Sequence, residues 1–313
     1  MSDRLTIHEG DAMVVLKTLP DASVHCCVTS PPYWGLRNYG VNGQIGLEAK
    51  PDEYVAKLVG VFREVRRTMR DDGTLWLNLG DSYAGGGRGG HPADSPHRKQ
   101  ATNAGSLTAR SQIPPGLKPK DLVGIPWMVA IALQADDWWL RQDIIWAKPN
   151  PMPESVTDRC TKSHEYVFLL SKSQKYYFDA KAIAEPCADS SMARWAQDVD
   201  SQTGSVRVPG KTNGPMRAVG GPRRVNGGAS FGKQKLSADG TGAQSRTYNR
   251  PVYETRNCRS VWTIPTQSFH GAHFATFPEK LVERCILAGC PEGGVVLDPF
   301  AGSGTTGKVA IEL

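Results

Sequence analysis

Two short segments of this chain combine residue types that could bind and orient reacting groups. The first is Ser30-Pro31-Pro32-Tyr33, which follows the apolar run at residues 24–28. Two successive prolines fix the backbone and remove two N–H donors, so this loop offers carbonyl acceptors without competing donors. Such acceptors could hold an –NH2 group and aim its lone pair at an electrophile, while the Tyr33 ring offers a face for stacking. Taken alone, the motif would also fit a proline-rich turn with an aromatic plug.

The second segment is Asp298-Pro-Phe-Ala-Gly-Ser-Gly-Thr-Thr306, which lies between a predicted strand and a predicted helix. Its glycines let the backbone approach a ligand closely. The amides of the helix start and the hydroxyls of Thr305 and Thr306 could bind a carboxylate. The same residues match a phosphate-binding Gly-x4-Gly-Lys loop, but Val309 stands where that motif needs Ser or Thr for magnesium. A nucleotide triphosphatase is therefore disfavoured.

Alternating strands and helices must position these two segments. The periodicity predicts helices over 55–69, 126–134 and 278–288, with residues 71–73 ending the first of them. It predicts strands over 24–28, 74–79, 143–146, 166–170 and 294–297. This order favours an α/β, Rossmann-like fold with a mainly parallel sheet, helices on both faces and long basic loops. Ligands of such sheets bind beyond the carboxyl ends of the strands, where both segments lie.

The charge is distributed unevenly along the chain. Residues 201–259 contain eleven Lys and Arg against two acidic residues, whereas the net charge of the whole chain is +6. This favours docking of a polyanion at one place, although a solvated basic loop would have the same composition. Segments 84–119 and 201–250 have the composition of long loops.

Cysteine usage and the N-terminus suggest where the chain works. The seven cysteines contain no Cys-x-x-Cys pair, so we expect reduced thiols and no metal site. The sequence has neither an apolar run long enough to span a membrane nor a signal peptide at its start. We therefore expect a cytoplasmic protein without a membrane partner.

Taken together, the motifs resemble the amino-methylating DNA methyltransferases, in the group whose catalytic motif precedes the cofactor motif. The family's Ser/Asn/Asp-Pro-Pro-Tyr/Phe motif is similar to residues 30–33, and its Phe-x-Gly-x-Gly motif is similar to residues 300–304. The resemblance implies four catalytic residues: Ser30, Pro31, Pro32 and Tyr33. It also implies S-adenosyl-L-methionine as the cofactor, with a binding set of Asp11, His273, Phe274, Phe277, Asp298, Phe300, Gly302, Gly304, Thr305 and Thr306.

The resemblance divides the chain into three regions. Residues 1–181 are the expected catalytic half, residues 182–259 a variable target-recognition region, and residues 260–313 the cofactor-binding half. Basic residues of the variable region are the expected DNA contacts: Arg223, Arg224, Lys233 and Lys235. Members of the family continue past the cofactor motif into a strand with an acid that holds the ribose. We therefore expect either that the last region is a truncated version or that cofactor affinity is compromised.

The implied reaction is direct methyl transfer to the exocyclic amine of a base rotated out of double-stranded DNA. Ser30 favours cytosine N4 as the target, because adenine enzymes of this group more often have Asp there; adenine N6 stays open. The recognition sequence and the oligomeric state are open as well. Whether a restriction endonuclease accompanies the enzyme depends on neighbouring genes.

Three other classes explain less of the sequence. A protein-glutamine methyltransferase usually has Asn before Pro-Pro-Tyr, and its substrate would leave the basic loop without a purpose. A non-catalytic DNA-binding protein would not explain the cofactor loop. A cytosine-C5 enzyme needs a thiolate after proline, which Pro186-Cys187 offers only in the variable region, far from Ser30.

Overall fold

The computed structural model describes residues 5–36, 40–41, 43–85, 113–195, 254–267 and 277–313. The helices in these ranges are α1 (Ala12–Leu16), α2 (Pro51–Thr68), α3 (Ile125–Ala135), α4 (Asp189–Trp195), α5 (Glu279–Gly289) and α6 (Thr305–Glu312). The strands are β1 (Val24–Thr29), β2 (Met69–Leu79), β3 (Trp139–Ala147), β4 (His164–Ser171), β5 (Glu185–Pro186), β6 (Thr255–Arg256), β7 (Val261–Thr263) and β8 (Val296–Leu297).

Six of the described strands form one sheet in the order β7-β3-β4-β2-β1-β8. β1 pairs in parallel with both β2 and β8, and β3 pairs in parallel with β7. β4 is antiparallel to its neighbours β2 and β3, so the other five strands share one direction. The predicted mainly parallel α/β sheet is confirmed, and the carboxyl ends of β1, β2 and β8 lie at the same edge.

Both faces of the sheet are covered, which explains why its central strands are continuous apolar runs. Successive β2 residues alternate between two core clusters: Leu75, Leu77 and Leu79 pack with α2 and α3, whereas Trp76 packs with α5. β4 alternates in the same way. The helices therefore lie on both faces, as predicted.

The boundary between α2 and β2 differs from the sequence prediction. Residues 71–73 were expected to end the helix, but α2 ends at Thr68 and these residues lie inside β2. The pairing with β1 jumps from Val24↔Met69 to Cys26↔Thr74, so the intervening β2 residues form an irregularity in the ladder. The strand begins at buried Met69. The polar residues that follow Met69 lie outside the regular pairing with β1.

The chain divides into two compact units, residues 1–183 with 257–313 and residues 184–256. The first unit contains the sheet. In the described part of the second, β5 pairs with β6, and Arg256 forms an ion pair with Glu185 at 3.5 Å. The predicted three-region division remains a prediction. Among the described helices, none is both long and apolar enough to cross a membrane.

Candidate active site

The two chemistry-bearing segments meet at one edge of the sheet. Ser30 follows the last residue of β1, and Asp298 follows the last residue of the adjacent strand β8. The Thr29 hydroxyl donates a hydrogen bond to Asp298 Oδ1 at 2.6 Å, across 269 positions of sequence. The predicted catalytic motif and the predicted cofactor loop therefore start side by side.

Asp298 organises the glycine-rich loop from inside. Its Oδ1 also accepts from the Phe300 backbone N–H at 3.0 Å, and its Oδ2 accepts from the Thr306 hydroxyl at 2.8 Å. Burial raises the pKa of Asp298 above its ordinary value, whereas these donors act in the opposite direction. Both carboxylate oxygens thus have partners within the protein, and Asp298 shapes the loop that should hold the cofactor.

The loop suits the anionic end of S-adenosylmethionine. Gly302 and Gly304 have positive φ angles of 53° and 78°, and no described atom lies within 4 Å of a Cβ built on Gly304. Gly304 is the N-cap of α6, and no side chain caps this helix start. Uncapped N–H groups at a helix N-terminus favour a carboxylate. The residues present therefore fit the cofactor that the sequence implied.

The two threonines of the loop differ in their availability. Thr306 is 1% exposed, and its hydroxyl lies within hydrogen-bonding distance of Asp298 and the Val28 carbonyl. Thr305 is half-buried and shares a 3.0 Å hydrogen bond with Ser303. Of the two predicted hydroxyl donors, Thr305 is the better placed to turn toward a ligand, while Thr306 holds the loop.

On the other side of Ser30, Tyr33 takes part in a polar cluster. Its hydroxyl donates to Glu165 Oε2 at 2.7 Å and accepts from Asn78 Nδ2 at 2.9 Å. Asn78 Nδ2 lies 3.4 Å from Ser30 Oγ and 3.0 Å from Glu165 Oε2. Asn78 is near the carboxyl end of β2, and Glu165 is at the start of the antiparallel β4. The edge of three strands thus supplies one connected set of polar groups.

Two lysines lie close enough to this cluster to interact with the Glu165 charge, and one of them pairs with the carboxylate directly. Lys148 forms an ion pair with Glu165 Oε1, and its ammonium lies 4.2 Å from the centre of the Trp146 ring. Lys162 donates to the Asp81 carbonyl at 2.8 Å, and burial lowers the pKa of Lys162. Burial and the negative charge of Glu165 raise the pKa of Tyr33 well above its usual value. The Tyr33 hydroxyl therefore stays protonated at neutral pH.

The proline carbonyls are not equivalent. The Pro32 carbonyl accepts a hydrogen bond from the Tyr54 hydroxyl of α2 at 2.9 Å. This bond anchors the turn to the helix, so among the predicted acceptors the Ser30 and Pro31 carbonyls stay candidates for holding a substrate amine. Pro31 is buried and Ser30 is half-buried, so this part of the turn packs against the rest of the protein.

Three other predicted cofactor residues lie in the described ranges. Asp11 caps α1 by accepting from the Val14 N–H at 3.1 Å, and its side chain is exposed. Phe277 packs on the α5 side of the sheet and lines a small cavity with Thr29 and Asn78. Phe300 packs against the opposite core cluster. Their contacts to a cofactor stay predictions.

Other predicted residues lie outside the described part of the chain. These are the cofactor residues His273 and Phe274 and the DNA contacts Arg223, Arg224, Lys233 and Lys235. The expected loop at residues 201–250 lies outside it entirely, and so do residues 86–112 of the expected loop at 84–119.

No role in the site was predicted from the sequence for five residues of this edge: Thr29, Asn78, Gly80, Lys148 and Glu165. Asn78 and Glu165 carried a signal, because each is a polar residue next to the end of an apolar strand. Lys148 directly follows β3. Polar residues at strand ends, considered together, would have pointed to this edge of the sheet, but not to which of them are in contact.

The cysteines provide a test of the core. Burial raises the pKa of Cys26, Cys27 and Cys285 well above the ordinary value and that of Cys290 to about 11. Only the thiolate reacts with alkylating reagents. We expect iodoacetamide at neutral pH to label exposed Cys160 first and these four only after unfolding. Peptide mapping by mass spectrometry with and without urea measures this, and native-state labelling of Cys26 would contradict the burial.

Comparison with known proteins gives consistent results. The N6/N4 family model, described as DNA methylase, matches residues 24–313. The type II methyltransferase M.SmaI of Serratia marcescens is 43% identical over 304 residues, which are 97% of this chain and 82% of that protein. M.Cfr9I of Citrobacter freundii, also a type II methyltransferase, is 43% identical over 97% of this chain and 79% of its own length.

Solved structures share the fold. The PvuII DNA methyltransferase, described as cytosine-N4-specific, aligns with a TM-score of 0.57 and 17% identity over 97% of this chain and 77% of its own. A putative DNA modification methylase of Thermus thermophilus, complexed with S-adenosyl-L-methionine, aligns with a TM-score of 0.50 and 20% identity over 96% and 81%. At these identities the likeness shows a common fold.

Proposed function

The chain belongs to the N6/N4 DNA methylase family, and from that premise we propose that it methylates the N4 amine of cytosine at a specific site in double-stranded DNA. The family is one of S-adenosylmethionine-dependent DNA methyltransferases, so the cofactor predicted from the motifs is the one that the family uses. The geometry of the site supports the residue roles proposed below.

The observation that best supports these roles is the bond between Thr29 and Asp298. It fixes the start of the Ser30-Pro31-Pro32-Tyr33 turn against the start of the glycine loop. Two groups that must react have to be held close together and aligned, and this accounts for much of the rate of such transfers. The adjacency of the two loops supports a site where a base amine and a methyl donor meet.

Within this proposal, residues of the glycine loop hold the cofactor. Gly302, Gly304 and the N-terminus of α6 receive its carboxylate, Thr305 adds a hydroxyl, and Asp298 keeps the loop in shape. Asp11, Phe277 and Phe300, with His273 and Phe274, complete the expected set. When bound, the cofactor supplies an electrophilic methyl group on a sulfonium.

The other side of the site binds the base. The Ser30 and Pro31 carbonyls accept hydrogen bonds from the target amine and direct its lone pair. Pro32 is held by Tyr54, so the turn keeps its shape without the substrate. The Tyr33 ring stacks on the flipped base.

The choice of cytosine rests on Ser30. Asn78 Nδ2 lies 3.4 Å from Ser30 Oγ, and the neutral serine hydroxyl can serve the edge of a cytosine ring. Aspartate, which the adenine enzymes of this group more often have, would be an acceptor there. Adenine N6 is the alternative, because the adenine ring also presents a nitrogen next to the amine. The preference for cytosine therefore rests on the residue type at position 30 and not on this hydrogen bond.

The similarity to M.SmaI and M.Cfr9I, both named type II methyltransferases, also bears on the biological role. We propose that the chain protects DNA in a restriction–modification system with a cognate endonuclease as its partner.

One experiment separates the candidates. Purified protein is incubated with unmethylated plasmid and isotopically labelled S-adenosylmethionine, and the DNA is digested to nucleosides for mass spectrometry. We expect labelled N4-methylcytosine and, by sequencing, a single recognition site. Detection of N6-methyladenine would change the proposed target base to adenine but leave the proposed amino-methylating reaction on DNA. Detection of 5-methylcytosine, or of label in protein alone, would refute the proposed reaction.

The basic region permits a separate test of DNA binding. Replacing Arg223, Arg224, Lys233 and Lys235 by Ala should weaken binding, because lost phosphate contacts no longer release counterions. Each lost contact should reduce the slope of log affinity against log salt by about 0.9. Fluorescence anisotropy at several salt concentrations measures the slope, and a slope identical to that of the unmodified protein would place the phosphate contacts elsewhere.

A further inference from the structure

Tyr33 is fixed at its hydroxyl as well as by its backbone. The hydroxyl lies between Asn78 Nδ2 at 2.9 Å and Glu165 Oε2 at 2.7 Å. The orientation of the Asn78 amide is determined by the same contacts, because the reversed amide would point its oxygen at the Glu165 carboxylate. Asn78 is 5% exposed, so these hydrogen bonds are shielded from solvent.

Glu165 is itself held on its far side. Its Oε1 pairs with Lys148, and the two side chains are 16% and 17% exposed. Trp146 and Glu165 are partners in the β3–β4 ladder, which brings Lys148 beside Glu165. The carboxylate therefore joins a cation on one side to the Tyr33 hydroxyl on the other.

The edge of the ring is also confined. A Cβ built on Gly80 would lie 2.5 Å from Tyr33 Cε2 and 3.1 Å from Cδ2. Any larger residue at position 80 would have to displace the ring. Tyr33 is thus restricted along its side and at its tip, which a ring serving only as a hydrophobic plug does not require.

We propose that Glu165 is a positioning residue: together with Asn78 it locks the Tyr33 ring through its hydroxyl, so that the stacking face for the flipped base is preorganised. The role in base binding rests on the proposed function, whereas the locking of the ring does not. A stacking group that is already oriented loses little conformational entropy when the base arrives. The ion pair with Lys148 keeps Glu165 aimed at Tyr33.

The first test measures the ring without any DNA. The protein is labelled with 3-fluorotyrosine, and Tyr33→Phe identifies the Tyr33 signal in the 19F NMR spectrum. We expect one narrow signal for Tyr33 in the unmodified protein and a shifted or broadened one in Glu165→Leu. Glu64→Leu is the matched control, because Glu64 is 23% exposed and pairs with Arg67 on α2, away from this edge. An unchanged Tyr33 signal in Glu165→Leu would overturn the proposal.

The second test measures turnover on a duplex that contains the mapped recognition site. Tyr33→Phe keeps the ring and the Glu165–Lys148 pair but removes the hydroxyl, so it should fold. We expect kcat to fall roughly three- to tenfold, the cost of ordering one side chain that is no longer held before the base stacks on it. KM for DNA and the cofactor Kd should change by less than about threefold, because phosphate contacts and the glycine loop are untouched.

The double variant Tyr33→Phe/Glu165→Leu tests whether Glu165 acts on turnover through Tyr33 or independently of it. Because Tyr33→Phe and Glu165→Leu remove the same contact, their combination should be no slower than the slower single variant. Multiplied effects, or Tyr33→Phe with the turnover of the unmodified protein, would overturn the proposal. If the unmodified protein methylates no DNA, the proposed function fails, and the 19F spectra still decide whether Glu165 locks the ring.

Discussion

Gly304→Val should lose cofactor binding by about a hundredfold or more, the equivalent of two or more hydrogen bonds to a charged carboxylate. Gly304 has a φ of 78° at the start of α6, and no described atom lies within 4 Å of a Cβ placed there. A valine would strain this backbone and fill the open space beside the uncapped helix amides. Isothermal titration calorimetry with S-adenosylmethionine measures the affinity.

Gly293→Val separates ligand exclusion from backbone strain. Gly293 has a φ of 71°, again with no described atom within 4 Å of a built Cβ, and it lies in the turn before β8 rather than after it. The two variants should therefore lose similar thermal stability, whereas only Gly304→Val should lose affinity. Equal affinities for the two variants would remove the glycine loop as the cofactor site.

Structural features formed by residues close together in the sequence could be predicted, whereas features formed by residues far apart in the sequence could not. α2, β2 and β4 could be predicted because each has an apolar pattern within a single run of consecutive residues. The helices and strands need these apolar residues because both faces of the sheet are covered. The boundary between α2 and β2 could not be predicted, because Asp-Asp-Gly at residues 71–73 is typical of a helix end. In the structure these residues lie in the irregular part of the pairing between β1 and β2. Tertiary pairing overrode the local preference there.

The candidate site shows the same limit. The motifs around Ser30 and Gly302 could be found because consecutive residues determine their chemistry. The sequence could assign only the ring face of Tyr33, for which phenylalanine would serve equally well. The partners of its hydroxyl, Asn78 and Glu165, lie 45 and 132 positions away. No periodicity encodes such contacts, since they depend on which strands are neighbours in the sheet.

Asp298→Ala should both destabilise the protein and weaken cofactor binding. The Thr29 hydroxyl and the Phe300 N–H would lose their acceptor, while Thr306 could still donate to the Val28 carbonyl at 3.2 Å. Two buried donors without partners should lower the unfolding free energy by about 2–4 kcal/mol. Urea denaturation measures this change, and calorimetry measures the accompanying loss of affinity.

Asp81→Ala is the matched control, since the Asp81 carboxylate also accepts from three donors, the N–H groups of Ser82, Gly124 and Ile125. It should lose stability but keep cofactor affinity, because it organises the start of α3 and not the glycine loop. Equal losses of affinity in both variants would mean that Asp298 acts only through global stability.

The pH dependence of folding stability tests independently whether burial or hydrogen bonding dominates the pKa of Asp298. Its pKa is higher in the folded protein than the ordinary 3.8, because burial opposes the charged form. The folded state then binds this proton more tightly than the unfolded state does. The contribution of Asp298 to stability is therefore largest at low pH, and it decreases as the pH rises from near 3.8 through the folded pKa. Subtracting the profile of Asp298→Ala from that of the unmodified protein isolates the contribution. A difference that instead grows with pH over this range would mean that the three donors outweigh burial and hold the carboxylate in its charged form.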